Sequence, residues 1–222
     1  MAECLFERLV MANADAWEAY TEHAFVEMMA DGSLPIAAFR HYLIQDYLFL
    51  IQFARAHALA VYKARSLAEM RAAQKGVAAI LDLEMDLHVR YCDGWGLTPD
   101  DLEAAEEDTP TVAYTRFVLD AGLRGDLLDL LVALAPCMIG YAVIGQRLAG
   151  LEGALAEDNP YAAWISEYAG DAYAAVAEDS VAQLDAVAGD EIGSRRFEEL
   201  ARLFGQACRL EAAFWQMGLD NG

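Results

Sequence analysis

Basic residues are scarce in this chain: 15 lysines and arginines stand against 36 aspartates and glutamates, for a net charge of −21. Such a field repels phosphate backbones and anionic lipid surfaces, so neither a nucleic acid nor a membrane is an expected partner. Cysteine is sparse too. The four present, Cys4, Cys92, Cys137 and Cys208, lie far apart with no CxxC pair, which argues against a zinc knuckle or a disulfide framework and leaves free thiols in a reducing compartment. No histidine follows His88, so a papain-like pairing of a late cysteine with an imidazole would have to borrow one from far upstream. No stretch rich in serine, proline or glycine divides the 222 residues, and a single domain over 1–222 is expected. The opening MAECLFERLV places Glu3 and Glu7 where a secretory leader needs a basic start and an unbroken apolar core, so the expected location is cytoplasmic.

What the chain has in quantity is apolar residues, 57% of the total. They recur at helical spacing almost throughout, with no sustained β-branched alternation, so the fold class is all-α. The spacing predicts a first helix from about Cys4 to Met29, stopped at Asp31-Gly32-Ser33. Pro35 opens a second at its first turn, running to about Ala64. A third covers roughly Leu67 to Tyr91, and Thr98-Pro99-Asp100-Asp101 forms a short acidic turn. A fourth starts at Thr109-Pro110 and ends near Gly122, and a fifth, capped by Gly125-Asp126, ends around Gly150 to Gly153. The sixth begins at Asn159-Pro160, and the last runs from about Asp190 to Met217. About seven long helices imply a multi-helix bundle with a central buried pocket. Leu130 to Gln146 is a run of 17 uncharged residues, near the lower limit for a bilayer span, but Pro136 and two glycines within it read as a buried core helix.

That run carries Cys137 directly after Pro136 and four residues before Tyr141. On a helix the thiol and the phenol share one face, and the proline is expected to bend the helix at the thiol. Other helices supply matching parts. Asp46 sits among Tyr42, Leu43, Phe49 and Leu50 on an inward face, where an ionised carboxylate needs a partner; an internal tie to a tyrosine and a role in binding a ligand are both open. Glu211 is set among Phe204, Ala207, Cys208, Phe214 and Trp215. Either its tip reaches water at the end of the bundle, or burial raises its pKa toward neutrality and suits it to proton transfer. Tyr114 and Tyr168 lie in similar apolar stripes. Together these residues outline a pocket for a flat, polar, aromatic ligand with Cys137 as nucleophile. Glu84 and His88, four apart, are two of the ligands a carboxylate-bridged di-iron centre needs. With no later histidine the set is incomplete, so a hydrogen-bonded pair and no metal or other cofactor are expected.

Taken in order, FRHYLIQDYLFLIQFARAHALA (Phe39 to Ala60), LEMDLH (Leu83 to His88), the helix from Tyr114 to Leu119, PCMIGYAVIG (Pro136 to Gly145), NPYAAWISEYAG (Asn159 to Gly170) and EAAFW (Glu211 to Trp215) resemble the TenA, or thiaminase II, family. The resemblance implies a haem-oxygenase-like helical fold without haem, usually as a homotetramer. It implies hydrolysis of 4-amino-5-aminomethyl-2-methylpyrimidine to the hydroxymethyl pyrimidine and ammonia, with thiamin cleavage as a related activity. Cys137 is similar to the family's nucleophile, which adds to the pyrimidine ring, and Glu211 to the proton-transferring acid. Asp46 is similar to the carboxylate that binds the ring's amine edge, and Phe49 resembles the stacking aromatic. Tyr114 and Tyr141 match tyrosines around the cysteine, and the remaining family tyrosine matches Tyr168, with Tyr161 as the alternative. Met138 and Ile139 depart from the family, which often has an aromatic residue just after its cysteine. A second reading keeps the fold and drops hydrolysis: a ligand-binding or regulatory member, or a metal-dependent oxygenase using Glu84 and His88.

Overall fold

The computed structural model describes residues 3–189 and 191–221, with Leu83 and Leu87 described by their backbone alone. Among these residues the regular structure is entirely helical: twelve α-helices and one π turn. The N-terminal stretch, expected as one helix, is three: α1 (Leu5–Ala12), α2 (Ala14–Thr21) and α3 (Ala24–Ala30). Polar side chains end each piece. Asn13 turns its amide back to the Leu9 carbonyl at 3.0 Å, and His23 Nδ1 accepts from the Phe25 N–H at 3.2 Å, capping α3. Side chains that compete for backbone groups in this way interrupt helices whose apolar period carries straight through.

Next come α4 (Ile36–Lys63), with Pro35 just ahead of its first turn rather than within it, and α5 (Leu67–Ala79). The expected third helix then continues through a π turn (Ile80–Glu84) into α6 (Met85–Asp93). The reason is in the spacing of buried residues. Ile80, Glu84, His88 and Cys92 are all buried at strict intervals of four, whereas an α-helix repeats every 3.6. A turn that takes more residues absorbs the drift and keeps all four facing inward. The acidic turn at Thr98 is a short helix, α7 (Pro99–Glu103), closed by a capping box between Thr98 and Asp101.

The fourth and fifth helices are α8 (Thr109–Arg124) and α9 (Leu127–Ala149). Asp126 and Asp129 cap α9 reciprocally, and Pro136 lies inside a helix that continues on both sides of it. The sixth divides at Gly170 into α10 (Ala162–Ala169) and α11 (Asp171–Ala188), because Gly170 is extended there. The last helix, α12 (Ser194–Asp220), starts later than expected, and the expected start at Asp190 lies outside the described residues.

The helix α9 is the axis of the bundle. It is long and apolar enough to cross a membrane, yet 89% of its most apolar window is buried inside the protein, as in the core helix of a globular domain. α8, α10, α11 and α12 pack around it, and one apolar core joins residues from α1 to α12. Two glycines permit the closest approaches. A Cβ on Gly140 would meet the Tyr20 ring at 2.5 Å, and one on Gly145 would meet the Tyr168 backbone carbon at 2.5 Å. With hydrogen in those places, α2 and α10 press directly onto α9.

Candidate active site

Asp46, on α4, is 4% exposed. Its Oδ2 accepts from the Tyr42 hydroxyl at 2.9 Å and lies 2.7 Å from His88 Nε2 on α6. The expected internal tie to a tyrosine is present through Oδ2, while no hydrogen bond to Oδ1 occurs among the described residues. The other ring nitrogen of His88, Nδ1, is 2.8 Å from the Glu84 carbonyl. Both ring nitrogens of His88 thus lie within hydrogen-bond distance of protein oxygens. No group of three such side chains placed to hold a metal occurs among the described residues.

Glu211, on α12, is 1% exposed, so the reading in which its tip reaches water at the bundle end is corrected. The bundle closes over it with Phe204, Phe214 and Trp215, all buried. Tyr114, from α8, donates to Glu211 Oε1 at 2.8 Å. Burial pushes the Glu211 carboxyl up to about 8, against the pull of the Tyr114 hydrogen bond and with a further push from Asp46. At neutral pH it is mostly a carboxylic acid, able to give a proton.

Cys137 and Tyr141, one turn apart on α9, are each 4% exposed. Burial, then the charges of Glu211, Glu84 and Asp46, push the Cys137 thiol well above its ordinary range. The resting group is thus a neutral thiol, and any attack by sulfur has to be coupled to loss of its proton. The Pro136 carbonyl one residue earlier accepts from the Tyr20 hydroxyl at 3.2 Å. Tyr141 packs in an aromatic cage, its ring 5.0 Å from Tyr168 and 5.3 Å from Trp215 between centroids. Phe49 lies against Tyr114 and Phe214 at 4.9 and 5.7 Å.

The structure separates the two candidate tyrosines. Tyr168 is inside the cluster, and its hydroxyl finds no hydrogen-bond partner among the described residues. Tyr161 is turned away, donating to the Leu34 carbonyl and packing edge-on against Phe39. Phe49, Tyr114, Cys137, Tyr141 and Tyr168 are buried in one connected core, and Asp46 and Glu211 are buried beside it, bonded to its Tyr42 and Tyr114.

Two tyrosines, Tyr173 and Tyr20, belong to this region and were not legible as parts of it, and Glu84, already singled out with His88, joins them. Tyr173, on α11, packs edge-on against Tyr168 at 4.7 Å, and its hydroxyl feels the charges of Glu84, Cys137 and Glu211. Tyr20 reaches the cysteine's own turn. Glu84 is a third buried carboxyl, raised to about 7 by burial and by Asp46. It lines a cavity of about 20 Å³ with Glu167, Tyr168 and Tyr173. Val176 also lines a surface crevice of about 580 Å³ between α5 and α11, whose lining includes His57 and Met138. The strict spacing of Ile80, Glu84, His88 and Cys92 was the available signal for Glu84 and His88; Tyr20 and Tyr173 left none.

A family model described as TENA/THI-4/PQQC matches residues 12–221. The chain is 40% identical to an aminopyrimidine aminohydrolase of Halalkalibacterium halodurans, across 92% of this chain and 91% of that protein. It is 31% identical to an aminopyrimidine aminohydrolase of Helicobacter pylori, across 92% and 94%. Among solved structures it is similar to one titled a TenA family transcription regulator, from a Silicibacter species, with 45% identity, a TM-score of 0.90, and coverage of 97% of this chain and 96% of that one.

Proposed function

The chain belongs to the TENA/THI-4/PQQC family, and from that premise we propose that it is a cytoplasmic, homotetrameric hydrolase of thiamin salvage. It takes 4-amino-5-aminomethyl-2-methylpyrimidine and water to the hydroxymethyl pyrimidine and ammonia, and it cleaves thiamin as a related activity. The observation that carries this reading is the grouping around Cys137. A neutral buried thiol stands among a carboxyl that holds a proton near neutrality, Glu211, and a carboxylate with one oxygen free, Asp46. The haem-oxygenase-like bundle of the family holds that grouping away from bulk water.

Asp46 Oδ1 receives the amine edge of the pyrimidine, with Phe49 and Tyr168 as the aromatic surfaces next to the ring. The Cys137 thiol adds across the ring, its sulfur to a ring carbon and its proton to a ring nitrogen. The Glu211 carboxyl protonates the departing amine, and electrons from the ring's amino group complete its expulsion, leaving an electrophilic exocyclic methylene. Water adds at that carbon while its proton returns to the Glu211 carboxylate. Loss of the thiol, which takes back its proton, restores the aromatic ring. No metal or organic cofactor enters these steps.

The net charge of −21 works against DNA contact, since a protein that neutralises no phosphates gains nothing from counterion release. A transcriptional role is accordingly not proposed. The test is ammonia release from the aminomethyl pyrimidine by the purified protein, with thiamin as second substrate. Binding of the pyrimidine without release of ammonia from it, and without cleavage of thiamin, would identify a non-hydrolytic binding member and end the proposal.

A further inference from the structure

We infer that His88 and Asp46 hold one proton between them as a buried imidazolium and carboxylate, and that His88 thereby positions Asp46 Oδ1 for the amine edge of an aminopyrimidine. The ligand half of this inference rests on the proposed function; the proton-sharing half stands on geometry alone. His88 is a positioning residue in this scheme, acting through Asp46.

The tautomer follows from the partners. His88 Nδ1 is 2.8 Å from the Glu84 carbonyl, which only accepts, so Nδ1 carries a hydrogen. Nε2, 2.7 Å from Asp46 Oδ2, then either donates as part of an imidazolium or accepts from a carboxylic acid. The Tyr42 hydroxyl decides between these, because it also donates to Oδ2, at 2.9 Å. A carboxylate oxygen takes two donors readily, whereas a protonated one that already donates is a poor acceptor. His88 is fully buried. Burial opposes its charge, but the Asp46 carboxylate and the two hydrogen bonds outweigh it, and the imidazole titrates above its ordinary range.

The surroundings of Asp46 give the pair its purpose. Glu84 faces it from the π turn, Cys137 and Tyr141 from α9, and Glu211 from α12. Tyr168 and Tyr173 face it from α10 and α11. Every one of these groups is an acid, and His88 supplies the positive charge that faces Asp46 among the described residues. With the imidazolium in place, Oδ2 is pinned and Oδ1 is fixed in direction.

The experiment uses protein labelled with ¹⁵N at histidine, in wild type, His88→Gln and Asp46→Asn, followed by NMR from pH 5 to 9. Loss of one ring's signals in His88→Gln assigns His88. The expected result is a ring protonated on both nitrogens at neutral pH in wild type, and a neutral ring with hydrogen on Nδ1 in Asp46→Asn. A neutral His88 ring in the wild type at pH 7 overturns the inference. Should His88→Gln fail to fold, Asp46→Asn still moves the one ring whose signals depend on it. In parallel, calorimetry with 4-amino-5-hydroxymethyl-2-methylpyrimidine as probe should show affinity roughly tenfold lower in His88→Gln, with a loss that grows toward acid pH. Weakening by the same factor at every pH would make His88 a packing residue and sink the positioning role. A wild type that binds no pyrimidine overturns the ligand half together with the proposed function, and the ring signals then decide the proton sharing on their own.

Discussion

At the scale of single residues, four cysteines of similar composition have very different surroundings. Cys4 caps a helix at the surface, its sulfur accepting from the Glu7 N–H at 3.4 Å. Cys92 and Cys208 are packed in apolar core, whereas Cys137 is surrounded by three carboxyl groups that act on it. Replacing Cys137 with Ala should lower turnover by at least about a thousandfold, while Cys4→Ala, Cys92→Ala and Cys208→Ala leave it near wild type; kcat measured on all four decides. Glu211 yields a prediction about stability as well as rate. Its folded pKa of about 8 lies above the unfolded value near 4.5, so between those values the folded state binds the extra proton, and stability falls as pH rises through that window. Glu211→Gln removes that part of the dependence and leaves the part that Glu84, likewise raised by burial, contributes. Its melting temperature should gain on wild type from pH 5 to pH 9, while its kcat/KM drops by about a hundredfold or more with the loss of proton transfer. A constant offset in melting temperature across that range would mean that Glu211 is not the titrating group.

At the scale of helices, the site depends on departures from regularity. The π turn between α5 and α6 keeps Glu84 and His88 on one inward face. Deleting the exposed Asp82 from that turn should restore α-helical register and rotate His88 away from Asp46. Helix content by circular dichroism is expected to persist while pyrimidine affinity falls roughly tenfold or more; unchanged affinity would show that the extra residue is dispensable. Val176 lines both the crevice between α5 and α11 and the small cavity at Tyr168 and Tyr173. If substrate enters there, Val176→Trp should depress kcat/KM more than kcat, because a narrowed path slows capture and leaves the chemistry intact. Equal kcat/KM in the variant and wild type would place the entrance elsewhere.

At the scale of the whole molecule, charge and core pull in opposite directions. An apolar core runs through nearly every helix, while 36 acidic side chains face 15 basic ones. The few arginines are used where acids crowd: Arg196 bridges Asp126 and Asp129 at 2.8 and 2.7 Å, and Arg116 reaches Glu107 at 2.6 Å. Most of the negative surplus has no such partner and repels itself across the surface. Raising ionic strength from about 10 mM to about 300 mM should therefore raise the melting temperature, as the screening length shrinks severalfold. A flat or falling curve would mean that attractive pairs, not net repulsion, dominate the surface field.

The sequence by itself determined the helical class, the order of the main helices, the burial of α9 and the polar residues set into apolar stripes. Each of these is a local matter: periodicity, caps and breakers act within a few residues of one another, so they are readable from one strand of text. It could not show that the first helix is three or that the sixth breaks at Gly170, because Asn13, His23 and Gly170 end helices through hydrogen bonds and backbone angles that leave the apolar period intact. Which tyrosine joins the cluster, what Asp46 is bonded to and why Glu211 holds a proton were decided by tertiary structure alone. Tyr168 faces α9 where Gly145 leaves room for the α10 backbone, whereas Tyr161, ahead of α10, is held by Asn159 and the Leu34 carbonyl. Asp46 and His88 are 42 residues apart, and Tyr114 and Glu211 are 97 apart. The charge on a buried group depends on everything packed around it, and that packing exists only once the helices have closed on one another.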